Sequence, residues 1–178
     1  MTLASRVMET NQKIIQMMGL EMSRKGLMMV VSIAALYDVL GLIFASISFG
    51  PVQVRVSNIL IPMIAIFGLP GMIGTVLGTF TLNLYGYAIG IAVGPFDLIS
   101  AFVFLPARWL IVKYGLRAVP IHILCVGLWV GYLLHSVYGL PFLVTAPLIM
   151  GGEAVAEIVL GIPTTLALQR RLPKSLLK

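Results

Sequence analysis

The sequence predicts an all-α, polytopic membrane protein built as a six-transmembrane-helix bundle. Three observations predict it. Hydrophobic residues fill 60% of the 178 positions and charged residues only 10%, where a soluble domain carries about 25%. Six apolar runs follow one another, punctuated by Gly, Pro or basic clusters. The basic residues fall almost entirely on alternate connections, as membrane topology requires.

Residues 1–26 read as a cytoplasmic amphipathic segment. Leu3, Val7, Met8, Ile14, Ile15, Met18 and Met22 recur at helical spacing, with Arg6, Glu9, Gln12, Lys13 and Gln16 between them. Such a helix lies on a membrane surface or on a partner; a partly ordered tail is the alternative reading. It does not read as a secretory signal, because the apolar run starts only after Arg24-Lys25 and is too long for one.

Residues 27–49 form the first span, with Asp38 half-way along and the small residues Ser32, Ala34 and Ala35 in its first half. Gly50-Pro51 ends it, and the polar-apolar alternation through Gln53, Arg55, Ser57 and Asn58 suggests an extended loop over the bundle. Runs 57–69 and 71–86 follow, joined by Gly68-Leu69-Pro70-Gly71; the first is short for a span. In the second, Gly74-x-x-x-Gly78 permits close helix approach. Thr75, Thr79 and Asn83 share one face, the threonines bonding their own helix. Residues 86–95 are a Gly-rich connection or a continuation of that helix.

Asp97 opens the fourth span, which runs to Tyr114, with Arg108 near enough to its far end to snorkel. The fifth covers 119–138 and brings Trp129, Tyr132 and His135 towards the edge that holds Asp97. The sixth covers 145–171 and carries Glu153 and Glu157, and 172–178 is a basic cytoplasmic tail. The transmembrane domain is thus 27–171. The single cysteine, Cys125, excludes an intramolecular disulfide and reads as packing.

Six spans put both termini on one side. That side holds Arg6, Lys13, Arg24, Lys25, Lys113, Arg117, Arg170, Arg171, Lys174 and Lys178, and the opposite side holds Arg55. The asymmetry places both termini in the cytoplasm and the protein in the cytoplasmic membrane. It also accounts for the net charge of +6 without nucleic acid.

At the outer edge the helix ends and the first loop bring together Gln53, Arg55, Ser57, Asn58, Asn83, Asp97, Tyr132, His135 and Glu153. Polar groups from several helices can enclose a small-molecule site, or Arg55 can pair with Asp97 or Glu153 and staple the bundle. Glu153 and Glu157, one turn apart, could also hold a metal with His135 or His122. Yet there is no His-Glu-x-x-His, no nucleophile elbow and no phosphate-binding loop. An intramembrane metalloenzyme and a membrane scaffold therefore remain as competing classes.

Tyr37 through Asn58, with its Ser-Phe-Gly-Pro-x-Gln-x-Arg-x-Ser core, resembles the queuosine-precursor transporter (QueT) family. These are substrate-binding S components of energy-coupling-factor importers. The resemblance continues through Leu82-Asn83-Leu84, Asp97 and Gly152-Glu153…Leu160-Gly161-Ile162-Pro163. It implies a six-helix bundle of the S-component type, and a site near the outer face closed by the loop after the first helix. It also implies a transmembrane coupling subunit with two ATPase subunits as partner, and no cofactor in this chain. Three positions depart from the family pattern: Asn58 stands where an acid is expected, Asp38 where a small residue is, and Val39 replaces an alanine.

The expected substrate is a queuosine precursor or related deazapurine, or else another small vitamin-like molecule. The expected substrate-binding residues are Gln53, Arg55, Asn58, Asn83, Asp97 and Glu153, with no metal site. A guanine-like edge offers adjacent donors that Glu153 or Asp97 can accept, while Gln53 or Asn83 meets its carbonyl. Trp129 or Tyr132 could stack on the ring.

Overall fold

A computed structural model describes residues 23–49, 53–173 and 177, and every regular element among them is helical. The amphipathic segment expected over 1–26 and the tail expected over 172–178 lie mostly outside the described residues, as do Gly50, Pro51 and Val52.

Ser23 starts α1 (Arg24–Ile43) by accepting the Gly26 N–H on its hydroxyl, which satisfies one of the free donors of the first turn. A short α2 (Ala45–Ser48) continues it to the loop. The chain then returns as a 3-10 helix, Val56–Met63, running into α3 (Ile64–Phe67). The 3-10 winding answers the shortness of this run: at about 2.0 Å per residue it carries the chain further than an α-helix would. α4 (Leu69–Ala88) follows, with Pro70 in its first turn, where a missing N–H costs nothing.

Beyond an irregular 89–95 connection, α5 (Phe96–Val103) and α6 (Leu105–Tyr114) form one rod with a step at Phe104, just before Pro106. Gly115, at φ +67°, turns the chain into α7 (Val119–Tyr138). The last rod begins at Phe142, three residues earlier than the sequence suggests. It comprises α8 (Phe142–Ala154), a π-helical turn (Val155–Gly161) and α9 (Ile162–Arg171).

Length and apolarity let three of these runs cross a bilayer: Arg24–Ile43, Phe96–Tyr138 and Phe142–Arg171. The middle one is double. Ser100 meets Trp129 and Arg108 meets His122, so α5–α6 folds back antiparallel on α7. Large apolar side chains such as Met28, Ile43, Val144 and Val159 lie exposed around the bundle, an arrangement suited to lipid and costly in water.

Close backbone approach sets the packing. α1 and α4 run parallel: a Cβ on Gly74 would lie 2.9 Å from Ile33, one on Gly78 would lie 2.6 Å from Tyr37, and Gly41 makes the same room for Leu82. α7 and α8 run antiparallel on Gly131 against Ala146 and Gly127 against Met150. Gly161 admits the Ile59 carbonyl and so seats the 3-10 segment along the π turn. Between these pairs lies an apolar core that includes Tyr37, Leu60, Ile64, Leu82 and Ile111.

Candidate functional site

The six expected site residues are all buried: Gln53, Arg55, Asn58, Asn83, Asp97 and Glu153. All but Gln53 belong to two hydrogen-bonded chains at the loop end of the bundle. In one, Arg55 donates to Asn83 Oδ1, and the Asn83 amide donates to the Asp97 carbonyl at 2.7 Å. The Asp97 carboxylate accepts from the Val93 N–H at 3.2 Å and the Ser100 hydroxyl at 3.4 Å. Trp129 closes this chain, its indole N–H donating to Ser100 at 2.8 Å. In the other, the Tyr37 hydroxyl donates to Asn58 Oδ1 and the Asn58 amide donates to Glu153 Oε2, both at 2.6 Å.

Arg55 therefore contacts an amide where an acidic partner was one of the two readings; it reaches neither Asp97 nor Glu153 as a direct ion pair. Its guanidinium sits 5.3 Å from the Phe49 ring centroid, a cation–π contact worth about 0.5–2 kcal/mol. Its Nε has no partner, nor have the Ser57 hydroxyl and Glu153 Oε1. Buried polar atoms are rarely left so, and unmatched donors and acceptors are what a polar ligand would satisfy.

Gln53 contributes through its backbone. A Cβ on Gly152 would collide with the Gln53 carbonyl oxygen, whereas one on Gly151 would meet nothing within 4 Å. Gly152 alone therefore seats the loop on α8. The Val54 N–H ties the loop's other side to the Ile47 carbonyl at 2.9 Å.

Phe49, Arg55, Ile91, Val93 and Asp97 line a gap of about 10 Å³, with Gln53 and Val130. That is room for about one water, against the several hundred Å³ of a small-molecule pocket. Phe49 and Ile91 also border an outer groove of about 510 Å³ with Ala45, Ser46 and Ile89. The two side chains form the wall between groove and gap.

A second polar layer lies one turn deeper. Arg108 does not snorkel: it is 1% exposed and donates to the Thr79 hydroxyl at 2.8 Å and to His122 Nε2 at 3.4 Å. Because an arginine N–H can only donate, His122 Nε2 must accept, so the imidazole proton is on Nδ1. Nδ1–H then donates to Glu157 Oε1 at 2.8 Å. Arg108, His122, Thr79 and Glu157 thus link α6, α7, α4 and the π turn.

The sequence offered one signal for this layer: ionisable residues inside predicted spans pair with one another. It could not say which. The threonines do bond their own helix, Thr75 to Met72 and Thr79 to Thr75, and Thr79 accepts from Arg108 as well.

Two expected members of the outer edge lie elsewhere. Tyr132 is 55% exposed, on the outside of α7, so it cannot stack on a buried ligand. His135 is exposed and bonds the Leu140 carbonyl, just past the end of its own helix. Tyr132 lies one turn from Trp129, the ring centroids 6.4 Å apart, on the side of α7 that faces out of the bundle. Asp38 is half-buried, and the Thr81 hydroxyl of α4 lies 2.9 and 2.8 Å from its two oxygens. Among the described residues no group of three His, Cys, Asp or Glu side chains converges as metal ligands.

Residues 27–170 match the family described as QueT transporter. No curated protein and no solved structure matches the chain.

Proposed function

Since the chain belongs to the QueT transporter family and is a membrane transporter of that type, we propose that it is the substrate-binding subunit of an energy-coupling-factor importer. Its substrate is a queuosine precursor or related deazapurine. All six helical rods cross the membrane, both termini face the cytoplasm, and the Gln53–Asn58 loop faces outward. The observation that carries this reading is the enclosed polar lattice, where Arg55, Asn83 and Asp97 meet at one side and Tyr37, Asn58 and Glu153 at the other.

The lattice supports a binding role because its members come from the loop and five different rods. It also leaves the Arg55 Nε and Glu153 Oε1 unmatched. A guanine-like edge carries the complementary atoms: donors for the carboxylate and a carbonyl for the guanidinium. With a gap of about 10 Å³, a bicyclic ring enters only after Phe49 and the loop swing aside. Coupling to a transmembrane partner bearing two ATPases is supported at the opposite end. There Ser32 and Leu36 of α1 border an apolar groove of about 540 Å³ with Leu60, Phe67 and Leu168, broad enough to seat a partner helix.

Small molecules co-purified with the detergent-solubilised protein identify the ligand by mass spectrometry; a deazapurine is expected. Arg55→Ala is expected to abolish ligand retention while membrane insertion stays normal, since the cytoplasmic basic residues set topology. Uptake by that variant at the wild-type rate would remove Arg55 from the site. Glu153→Gln puts an NH₂ donor where the ligand's donors point. It is expected to cost about 2–4 kcal/mol, a ~30- to 1,000-fold loss of affinity in a titration with deazaguanine.

A further inference from the structure

The groove at the end of the bundle away from the loop runs along α1 past Lys25, Met28, Ser32 and Leu36, which share one helix face. From Lys25 to Leu36 it rises about 16 Å. That is half of the ~30 Å hydrocarbon core, and so the depth of one leaflet. The far wall belongs to α9 and the residue after it, through Thr164, Leu168 and Leu172. Met28 is 70% exposed, so the groove is open to whatever surrounds the bundle. Below Lys25 the lining is apolar except for Ser32 and Thr164, and Thr164 turns its hydroxyl proton back to the Leu160 carbonyl at 2.6 Å.

The mouth is different. Arg24 and Lys25 open α1, Arg170 and Arg171 close α9, and all four are exposed. No acid stands in the first turn of α1, so two cations meet the positive end of the helix dipole, which costs energy until an anion joins them. Among the described residues the acids are held elsewhere. Asp38 faces Thr81, Asp97 faces Ser100 and the Val93 N–H, Glu153 takes the Asn58 amide and Glu157 takes the His122 proton. None of them answers the cations at the mouth.

We propose that this groove binds an anionic phospholipid, one acyl chain lying between α1 and α9 and the phosphate among Arg24, Lys25 and Arg171. The length of the groove matches a leaflet, and its charge selects the headgroup. A zwitterionic lipid fills the same apolar trough but brings its own ammonium to a rim of cations. Basic pockets between transmembrane helices on the cytoplasmic side suit anionic headgroups. The unbranched thioethers of Met28, Met29 and Met63 adapt to a chain of no fixed shape. Assigning the lipid to the cytoplasmic leaflet rests on the topology proposed above; the binding does not. Because the same groove is the seat inferred for the coupling partner, docking exchanges a lipid for a helix, and the lipid fills the groove while the subunit is alone in the bilayer.

Native mass spectrometry of the delipidated full chain tests this. The probes are dioleoylphosphatidylglycerol, dioleoylphosphatidylcholine and glycerophosphate, with thermal stability measured for every variant. The wild type is expected to bind the phosphatidylglycerol ~10- to 30-fold more tightly than the phosphatidylcholine, and glycerophosphate far more weakly than either. Lys25→Gln combined with Arg171→Gln should bring the two lipids to equal affinity. Ser32→Trp, which fills the trough and leaves the charges, should weaken both lipids alike. Lys113→Gln combined with Arg117→Gln, on the other basic connection, should change neither. Should the variant at Lys25 and Arg171 lose stability, a salt titration of the wild type replaces it, and the preference must fall as ionic strength rises. Equal binding of the two lipids by the wild type would overturn the proposal and leave the groove to a partner helix or a second copy of the chain. A preference that survives the change at Lys25 and Arg171 would also overturn it, placing the lipid on another basic surface. Glycerophosphate binding as tightly as the lipid would reduce the mouth to a site for free phosphate.

Discussion

At the scale of single residues, Gly151 and Gly152 make the sharpest contrast in the chain. They are adjacent and chemically identical, yet one faces open space and the other faces the Gln53 carbonyl. Gly151→Ala is expected to change thermal stability by less than about 0.5 kcal/mol. Gly152→Ala must push the loop off α8, at about 1–3 kcal/mol, and should lower ligand affinity because Arg55 and Asn58 ride on that loop. Thermal unfolding in detergent and a ligand titration of the two variants check this; equal effects would mean that the loop is not seated there. The sequence shows two adjacent glycines before Glu153. Composition alone cannot tell a ligand from a backbone carbonyl. Arg55, Asn58, Asn83, Asp97 and Glu153 were legible because polar residues inside apolar runs are few. Arg108, only six residues before Tyr114, was misread because a long cationic side chain near a helix end has two outlets, and only the packing on Thr79 and His122 decides between them.

At the scale of elements, the parallel pair α1–α4 fixes where Tyr37 stands. Gly78 lies under the Tyr37 ring, and the ring's hydroxyl holds Asn58, which in turn holds Glu153. A side chain at Gly78 therefore acts at a distance. Gly78→Val is expected to destabilise the bundle by about 1–3 kcal/mol through overpacking. It should also weaken ligand binding although residue 78 touches no ligand group. Tyr37→Phe, which keeps the ring and drops the hydroxyl, should reproduce the binding loss with a smaller stability loss. Comparing thermal midpoints with dissociation constants for the two variants separates packing from hydrogen bonding. The small-residue spacing Gly74-x-x-x-Gly78 announced a close helix contact, but pattern does not name the partner helix or the direction in which it runs. The short second run was legible as an anomaly in length, and its 3-10 winding was not, since no local residue preference separates that winding from an α-helix reliably.

For the whole molecule, the charge asymmetry and the helix order make a claim about sidedness. With Cys125→Ala as background, Ile89→Cys should react with an impermeant maleimide added outside intact cells. Tyr114→Cys, at the turn end of α6, should react only after the membrane is opened. The reverse pattern would invert the topology and put the loop site on the cytoplasmic face. A helical membrane bundle was legible from hydropathy and punctuation because a bilayer demands long apolar helices of whatever crosses it. The arrangement of the helices was not, because lipid-facing and helix-facing apolar residues look alike in a sequence with polarity so uniform. The π turn within Val155–Gly161 illustrates what such uniformity hides. Loss of a single codon there would let the rod relax into a regular helix of the same hydropathy and nearly the same length. Side chains beyond the turn would keep their facing, because i→i+5 winding takes up one residue more than i→i+4 winding, whereas Glu157, inside the turn, would shift relative to Glu153. The product would insert and would pass for the parent by composition, having lost one apolar residue of many and, with it, the alignment of its two acids.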